Sequence, residues 1–301
     1  MNIQSLNHIT TLLPTNTLIV FSLLSLAILS YWLPSRSQKA VVSRPWFSLL
    51  CITLAAAWLF SFVHLLGIIW LVLLGFCLFY SQQLNQAWAK YLLHTCAVIL
   101  ALALALHLLP GFNNPVILPT TTISHDAPTF QLFANLDKAV AGLLILGLLN
   151  TTGTNRYLKQ LKINGHLIAL AILVPLTVGL MMNVIQLDIK IGWITLVFAW
   201  INLLFTCIAE EAFFRLLIQA PLAQSLRRIK YSQWIVVSIM GLLFGLAHLG
   251  GGLQFAIMAA LAGFGFSLVY QRTRSIELTV LTHFGLNIVH FICFTYPLAN
   301  Q

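Results

Sequence analysis

The sequence predicts an all-α fold: a polytopic integral membrane protein of about ten transmembrane helices, with a catalytic core in the C-terminal ones. Three observations predict it. Of the 301 residues, 60% are hydrophobic and only 7% charged, whereas a soluble domain carries about a quarter charged residues. The mean hydropathy is +0.94, and the apolar residues come in runs near the ~20 residues that a helix needs to cross the hydrocarbon. The Lys and Arg residues fall in short clusters between those runs, the pattern of cytoplasmic loops.

The runs place spans at 17–33, 46–62, 64–80, 89–109, 137–153, 164–182, 193–214, 233–249, 253–270 and 276–295. No Lys or Arg precedes the first run and no A-x-A site follows it, so it reads as a retained span and not a cleaved signal. The stretch from Trp46 to Tyr80 is apolar throughout. It is too long for one ordinary span, and is read as two with a break around Ser61–Gly67. With that hairpin, thirteen of the fifteen Lys and Arg residues fall on one side of the membrane and only Lys138 and Lys190 on the other. Both termini are then outside the cytoplasm. The 137–153 segment opens on Asp137 and Lys138 and closes on NTTGTN, an unusual pair of ends for a span. The loop from Gly111 to Asn135, on the outer side, is the longest and is rich in Pro and Thr.

A formal net charge of +9 could serve nucleic acid, but its distribution over inter-helix loops argues against that partner. Cysteines 51, 77, 96, 207 and 293 stand singly in apolar runs, with no paired spacing. They read as small buried hydrophobes, not as a disulfide framework or thiolate site. The chain divides near residue 190: residues 1–190 are apolar helices with few ionisable groups, and 191–301 carry nearly all polar residues within spans.

Ionisable residues inside a span are costly and are functional candidates by default. Only six residues are acidic, and two of them, Glu210 and Glu211, are adjacent in FTCIAEEAFFRLL. Glu211 and Arg215 have the i,i+4 spacing of a helical ion pair with the acid leading. Glu210 lies about 100° around the helix and cannot share that arginine equally. A structural ion-pair cluster is the alternative account of this stretch, disfavoured by the cost of leaving the second acid unpaired. His248 ends an apolar helix in FGLAHLGGG, before glycines that permit a sharp turn. In LTHFGLNIVH, His283 and Asn287 share one helical face, and His290 falls near the same stripe. His64, His94, His107 and His166 have no matching partners nearby in sequence and read as helix–helix hydrogen bonders.

Together Glu210, His248, His283 and Asn287 supply a base, imidazoles and oxyanion donors, or equally a ligand set for zinc with an open water position. Either arrangement activates water for hydrolysis.

EEAFFR (210–215), FGLAH (244–248) and HFGLN (283–287), in this order on separate helices, resemble the CAAX protease and bacteriocin-processing family of intramembrane endopeptidases, type II CAAX prenyl endopeptidase-like. The resemblance covers roughly residues 195–295 and extends to YQRTRSIELTVLTH before the last motif. It implies peptide-bond hydrolysis in or near the membrane of a bacterium, on membrane-associated or lipidated peptide or protein substrates. By motif position, Glu210 would activate water with His248 assisting, and Glu211 would pair with Arg215. His283 and Asn287 would stabilise the oxyanion. The family implies either a zinc ion, held by Glu210, His248 and His283, or a metal-free glutamate mechanism. A non-enzymatic relative acting as scaffold, immunity factor or carrier is the alternative. Intact motifs favour the enzyme, and no repeat-related polar helices of the carrier type are seen.

Depth is the awkward point. His283 lies near the cytoplasmic start of its span, whereas His248 lies some 15 residues into its own, about 20 Å deep at 1.5 Å per residue. The motifs meet only if helices tilt or if the 233–249 helix starts further from the surface.

Overall fold

Ser61, with φ of +61°, turns the chain in the middle of the 46–80 run. Helix α2 (Pro45–Leu59) ends just before it and α3 (Leu65–Gln83) begins just after, so the run is two helices. The computed structural model describes residues 13–33, 44–150 and 157–299. Arg36, Lys39 and Arg156, counted above on the basic side, lie outside the described residues, as does the end of the 137–153 segment. The remaining helices are α1 (Thr15–Ser30), α4 (Ala87–Ala105), α5 (Leu136–Leu149), α6 (Tyr157–Met181), α7 (Trp193–Ser225), α8 (Ser232–Ala247), α9 (Leu253–Thr273) and α10 (Ile276–Cys293).

The all-α expectation fits, with a short addition: the 111–135 loop contains a two-stranded sheet, β1 (Val116–Thr121) and β2 (Phe130–Phe133). The count of about ten spans is not confirmed. Among the described residues, six helices (α3, α4, α6, α7, α9 and α10) are long and apolar enough to cross a membrane. Helices α1, α2 and α8 are apolar but shorter, and α5 has only 14 residues. The protein is a multi-pass membrane protein, but a count of ten full spans is not reached by length.

The chain divides into two compact units that interleave in sequence. One comprises Met1–Leu118, Leu132–Thr151 and Leu204–Ala209; the other comprises Pro119–Gln131, Thr152–Leu203 and Glu210–Gln301. Residues 157–190 thus group with the C-terminal helices.

In the first unit, Phe21 meets Phe62 and Phe205 edge-on, with centroids 6.0 and 5.5 Å away. Gly142 and Gly147 in α5 leave no room for a Cβ beside Ala209 and Trp46 respectively. Such small-residue contacts replace the hydrophobic drive that lipid removes. Asp137 is buried at the start of α5 because it is fully engaged. It accepts hydrogen bonds from His107 Nδ1 at 2.7 Å and from Asn114 Nδ2 at 3.0 Å. His107 therefore has a carboxylate partner 30 residues away, which local spacing did not reveal.

In the second unit, α8 lies on α9 through Gly241 and Gly245; a Cβ on Gly245 would sit 2.7 Å from that of Ala260. Helix α6 approaches α9 where a Cβ on Gly265 would lie 2.7 Å from Ala171 Cβ. Ser275 caps α10, its hydroxyl accepting from Leu278 N at 3.2 Å, which satisfies one of the orphan donors at the helix start.

Helix α7 is 33 residues long, with no Gly or Pro between Trp193 and Ala220 to interrupt it. It is not regular. π-helical segments at Asn202–Cys207 and Ala212–Gln219 flank a short α stretch, Ile208–Glu211. π segments are rare and recur at functional sites.

Candidate active site

Glu211 and Arg215 lie in the centre of α7 with side chains wholly buried, and Arg215 Nε donates to Glu211 Oε2 at 2.6 Å. The ladder continues along the same face. Arg215 NH1 donates to Gln219 Oε1 at 2.8 Å, and Gln219 Nε2 donates to the Ser267 carbonyl on α9 at 3.0 Å. The charge is thus passed along an i, i+4, i+8 row into the backbone of a neighbouring helix. An isolated buried ion pair would be a poor trade for its desolvation; one with further hydrogen bonds is tolerable.

The second oxygen of Glu211 is not spare. The Nδ1–H of His283, on α10, donates to Oε1 at 2.8 Å. A carboxylate only accepts, so this contact puts the proton on Nδ1 and directs Nε2 the other way. Nε2 faces Glu210, whose Oε2 is 3.9 Å distant. The two adjacent acids therefore address opposite nitrogens of one imidazole. They differ in access: the Glu210 side chain keeps 16% of its surface exposed, Glu211 none.

Rings hold the imidazole flat. His283 stacks on Phe266 at 4.7 Å and meets Phe244 edge-on at 5.5 Å. The same Phe244 ring stacks on His248 at 4.5 Å, and His248 Nδ1–H donates to the Phe244 carbonyl at 2.7 Å. Both histidines of the sequence motifs thus share Phe244 as a wall, so the expected mismatch in depth does not keep them apart. His248 is at the C-terminal end of α8 as drawn from sequence, and its fixed Nδ1–H leaves Nε2 as the acceptor nitrogen.

Asn287 lies one turn beyond His283 on α10, and its Nδ2 donates to Asn202 Oδ1 at 3.1 Å. Asn202 opens the first π segment of α7. His290, read from sequence as near the same stripe, is used elsewhere. Its Nε2 meets the Thr295 carbonyl at 3.2 Å and its ring packs on Tyr296.

The zinc ligands implied by the resemblance would be Glu210, His248 and His283. Among the described residues no group of three His, Cys, Asp or Glu side chains is gathered as a metal ion requires. His283 offers only Nε2, since Nδ1 is bound to Glu211, and His248 lies across the Phe244 ring.

Sequence reasoning did not find Asn202, Gln219, Phe266 or Ser267, and it gave no role to the Phe244 of FGLAH. Gln219 alone left a signal, as the third member of the Glu211, Arg215, Gln219 row at i+4 steps.

Residues 192–289 match the family described as type II CAAX prenyl endopeptidase Rce1-like. The similarity to this family is confined to that segment. It covers about a third of the chain and contains all three motifs and every site residue named above. No curated protein and no solved structure matches the chain. Within the matched segment, the geometry groups Glu210, Glu211, Arg215 and His283 directly, with His248 joined through Phe244 and Asn287 through the face it shares with His283.

Proposed function

We propose that this protein is an intramembrane endopeptidase that hydrolyses peptide bonds of membrane-associated or lipidated substrates, with both its termini outside the cytoplasm. One observation carries the reading: Glu210 and Glu211 face the two nitrogens of His283, at 3.9 and 2.8 Å. The shorter contact is a hydrogen bond and the longer one is not. On this reading one water bridges Glu210 Oε2 and His283 Nε2 across their 3.9 Å separation.

Glu211 then acts as a positioning residue. It holds the His283 tautomer and stabilises the imidazolium when it forms, as the orienting carboxylate of a triad does. Glu210, reachable by water, takes the proton of the attacking water and delivers it to the leaving amine. His248 Nε2 assists as a second proton acceptor. Asn287 Nδ2, oriented by its hydrogen bond to Asn202, supplies a donor for the developing oxyanion. His283 joins it as a donor once Nε2 is protonated. The mechanism routes no step through a metal.

Purified protein assayed on a panel of membrane peptides, with and without a prenyl group, tests this. Glu210→Gln is expected to lower turnover by about 10²–10⁴-fold, the range of a lost general base, and His248→Ala is expected to lower it as well. If both variants cleave like the parent, the assignment fails. Dialysis against a chelator leaves cleavage intact; loss of activity restored by zinc would bring a metal into the mechanism.

A further inference from the structure

A cavity of about 400 Å³ opens where α7 and α9 end, lined by Ala220, Gln224, Arg227, Tyr231, Gln271 and Arg274 among others. It is apart from the residues of the candidate active site. Between Ala220 and Glu277 the chain carries Arg227, Arg228, Lys230, Arg272 and Arg274 against a single acid, Glu277. Glu277 is itself engaged, its Oε2 accepting from the Ser275 hydroxyl at 2.8 Å. Arg227 and Arg274 come to the cavity from two different inter-helix segments, and Arg274 is fixed in a left-handed backbone with φ of +53°. One wall has an unmet demand: Gln271 Oε1 is buried and, among the described residues, has no hydrogen-bond partner. A buried acceptor without a donor is costly. A ligand that satisfies this cavity therefore presents anionic oxygens to two guanidinium groups and a hydroxyl or N–H donor to Gln271.

The surroundings select the source of that ligand. The cavity lies at the ends of two membrane-crossing helices, Trp193–Ser225 and Leu253–Thr273. Ile229, Tyr231 and Trp234, all in or just after the 226–231 turn, are exposed at 50%, 65% and 43%. Lys230 Nζ lies over the Tyr231 ring at 4.9 Å. Exposed aromatic and aliphatic side chains interleaved with Arg and Lys mark the headgroup level of a bilayer. A water-facing site for a soluble anion has no use for them.

We propose that this cavity binds the headgroup of an anionic phospholipid, with Arg227 and Arg274 on the phosphodiester oxygens and Gln271 Oε1 accepting from a headgroup hydroxyl such as that of glycerol. The site does not depend on the peptidase reading.

The test uses the full-length protein, delipidated and returned to zwitterionic nanodiscs doped with phosphatidylglycerol, with lipid retention read by native mass spectrometry. Phosphatidylglycerol is expected to be retained over phosphatidylcholine by about tenfold or more, the scale of charged hydrogen bonds. Arg227→Gln with Arg274→Gln removes the preference. Gln271→Leu, which keeps both arginines and guards against a misfolded double variant, weakens retention of phosphatidylglycerol more than that of phosphatidic acid, which lacks the hydroxyls. Equal retention of the two charge classes, or a preference untouched by all three substitutions, overturns the proposal. Displacement by millimolar inorganic phosphate would reassign the site to a soluble anion. Displacement by a peptide with a free C-terminal carboxylate, but not by its amide, would reassign it to a peptide. Either result also overturns the lipid assignment.

Discussion

His283 is tied through Nδ1 to Oε1 of Glu211, at 2.8 Å, within a fully buried carboxylate–guanidinium pair. The contact joins α10 to α7 across 72 residues of sequence and makes Glu211 a structural and a positioning residue at once.

Glu211→Gln is therefore expected to cost stability as well as activity. It leaves Arg215 buried without a counter-charge, a defect of about 3–5 kcal/mol in buried pairs. Thermal unfolding in detergent should fall clearly below that of the parent, whereas Glu210→Gln, at the wetter acid, should unfold near it. Equal unfolding of the two variants would contradict the division of labour between the acids.

Phe244 is placed by a glycine. A Cβ on Gly263 of α9 would overlap the Cβ of Phe244, so Gly263→Val pushes away the ring on which both His248 and His283 lean. Overpacking of this kind costs about 1–3 kcal/mol. Cleavage is expected to fall in the protein that remains folded, as judged by size exclusion. Unchanged turnover would show that Phe244 does not align the histidines.

Asn202 orients Asn287. Asn202→Ala removes the acceptor and is expected to lower kcat about tenfold, the worth of one hydrogen bond in a fixed geometry, with KM nearly unchanged. A rise in KM at constant kcat would instead assign the pair to substrate binding.

Asp188 supplies a pH dependence outside the spans. The hydrogen bond with Ser124 chiefly holds its carboxyl below the usual carboxylate range, partial burial opposes this, and Lys190 adds to the lowering. The Ser124 oxygen also accepts from Tyr296 N at 2.9 Å. Lys190 Nζ donates to the Phe294 carbonyl and, at 3.0 Å, to Asp188 Oδ2. Because the folded-state value is depressed, the stabilisation is fully present above the ordinary carboxyl value near 4. It is lost as the pH falls through the lowered value. Asp188→Asn should thus be less stable than the parent near neutrality and converge with it in acid. A gap that persists in acid would assign the effect to packing.

Much of this was legible in the sequence. Membrane character followed from composition, and the break near Ser61 from the length of one apolar run. The Glu211–Arg215 pair followed from i,i+4 spacing. The limits have physical causes. A π turn needs no Gly or Pro and no particular residue, so the widened turns of α7 leave no trace in the sequence. The Asn202–Asn287 and His107–Asp137 contacts join residues 85 and 30 positions apart, beyond any helical repeat. The strands β1 and β2 lie in a loop whose Pro and Thr content signals turns as readily as strands. Hydropathy does not mark the helix ends, because apolar runs continue past them, as at Phe60–Val63 after α2.

The two π segments that bracket Ile208–Glu211 make α7 keep an uneven angular count. A π turn takes up one residue more than an α turn, so rewinding the first segment, Asn202–Cys207, as regular helix at about 100° per residue would swing the acids after it by roughly that angle relative to the residues before it. EEAFFR would survive letter for letter, and Glu211 would still be four residues from Arg215. Yet the acids would turn toward a different neighbour than His283. Two chains with identical motifs can therefore differ in whether they possess a site, and the difference would lie in apolar residues that no motif includes.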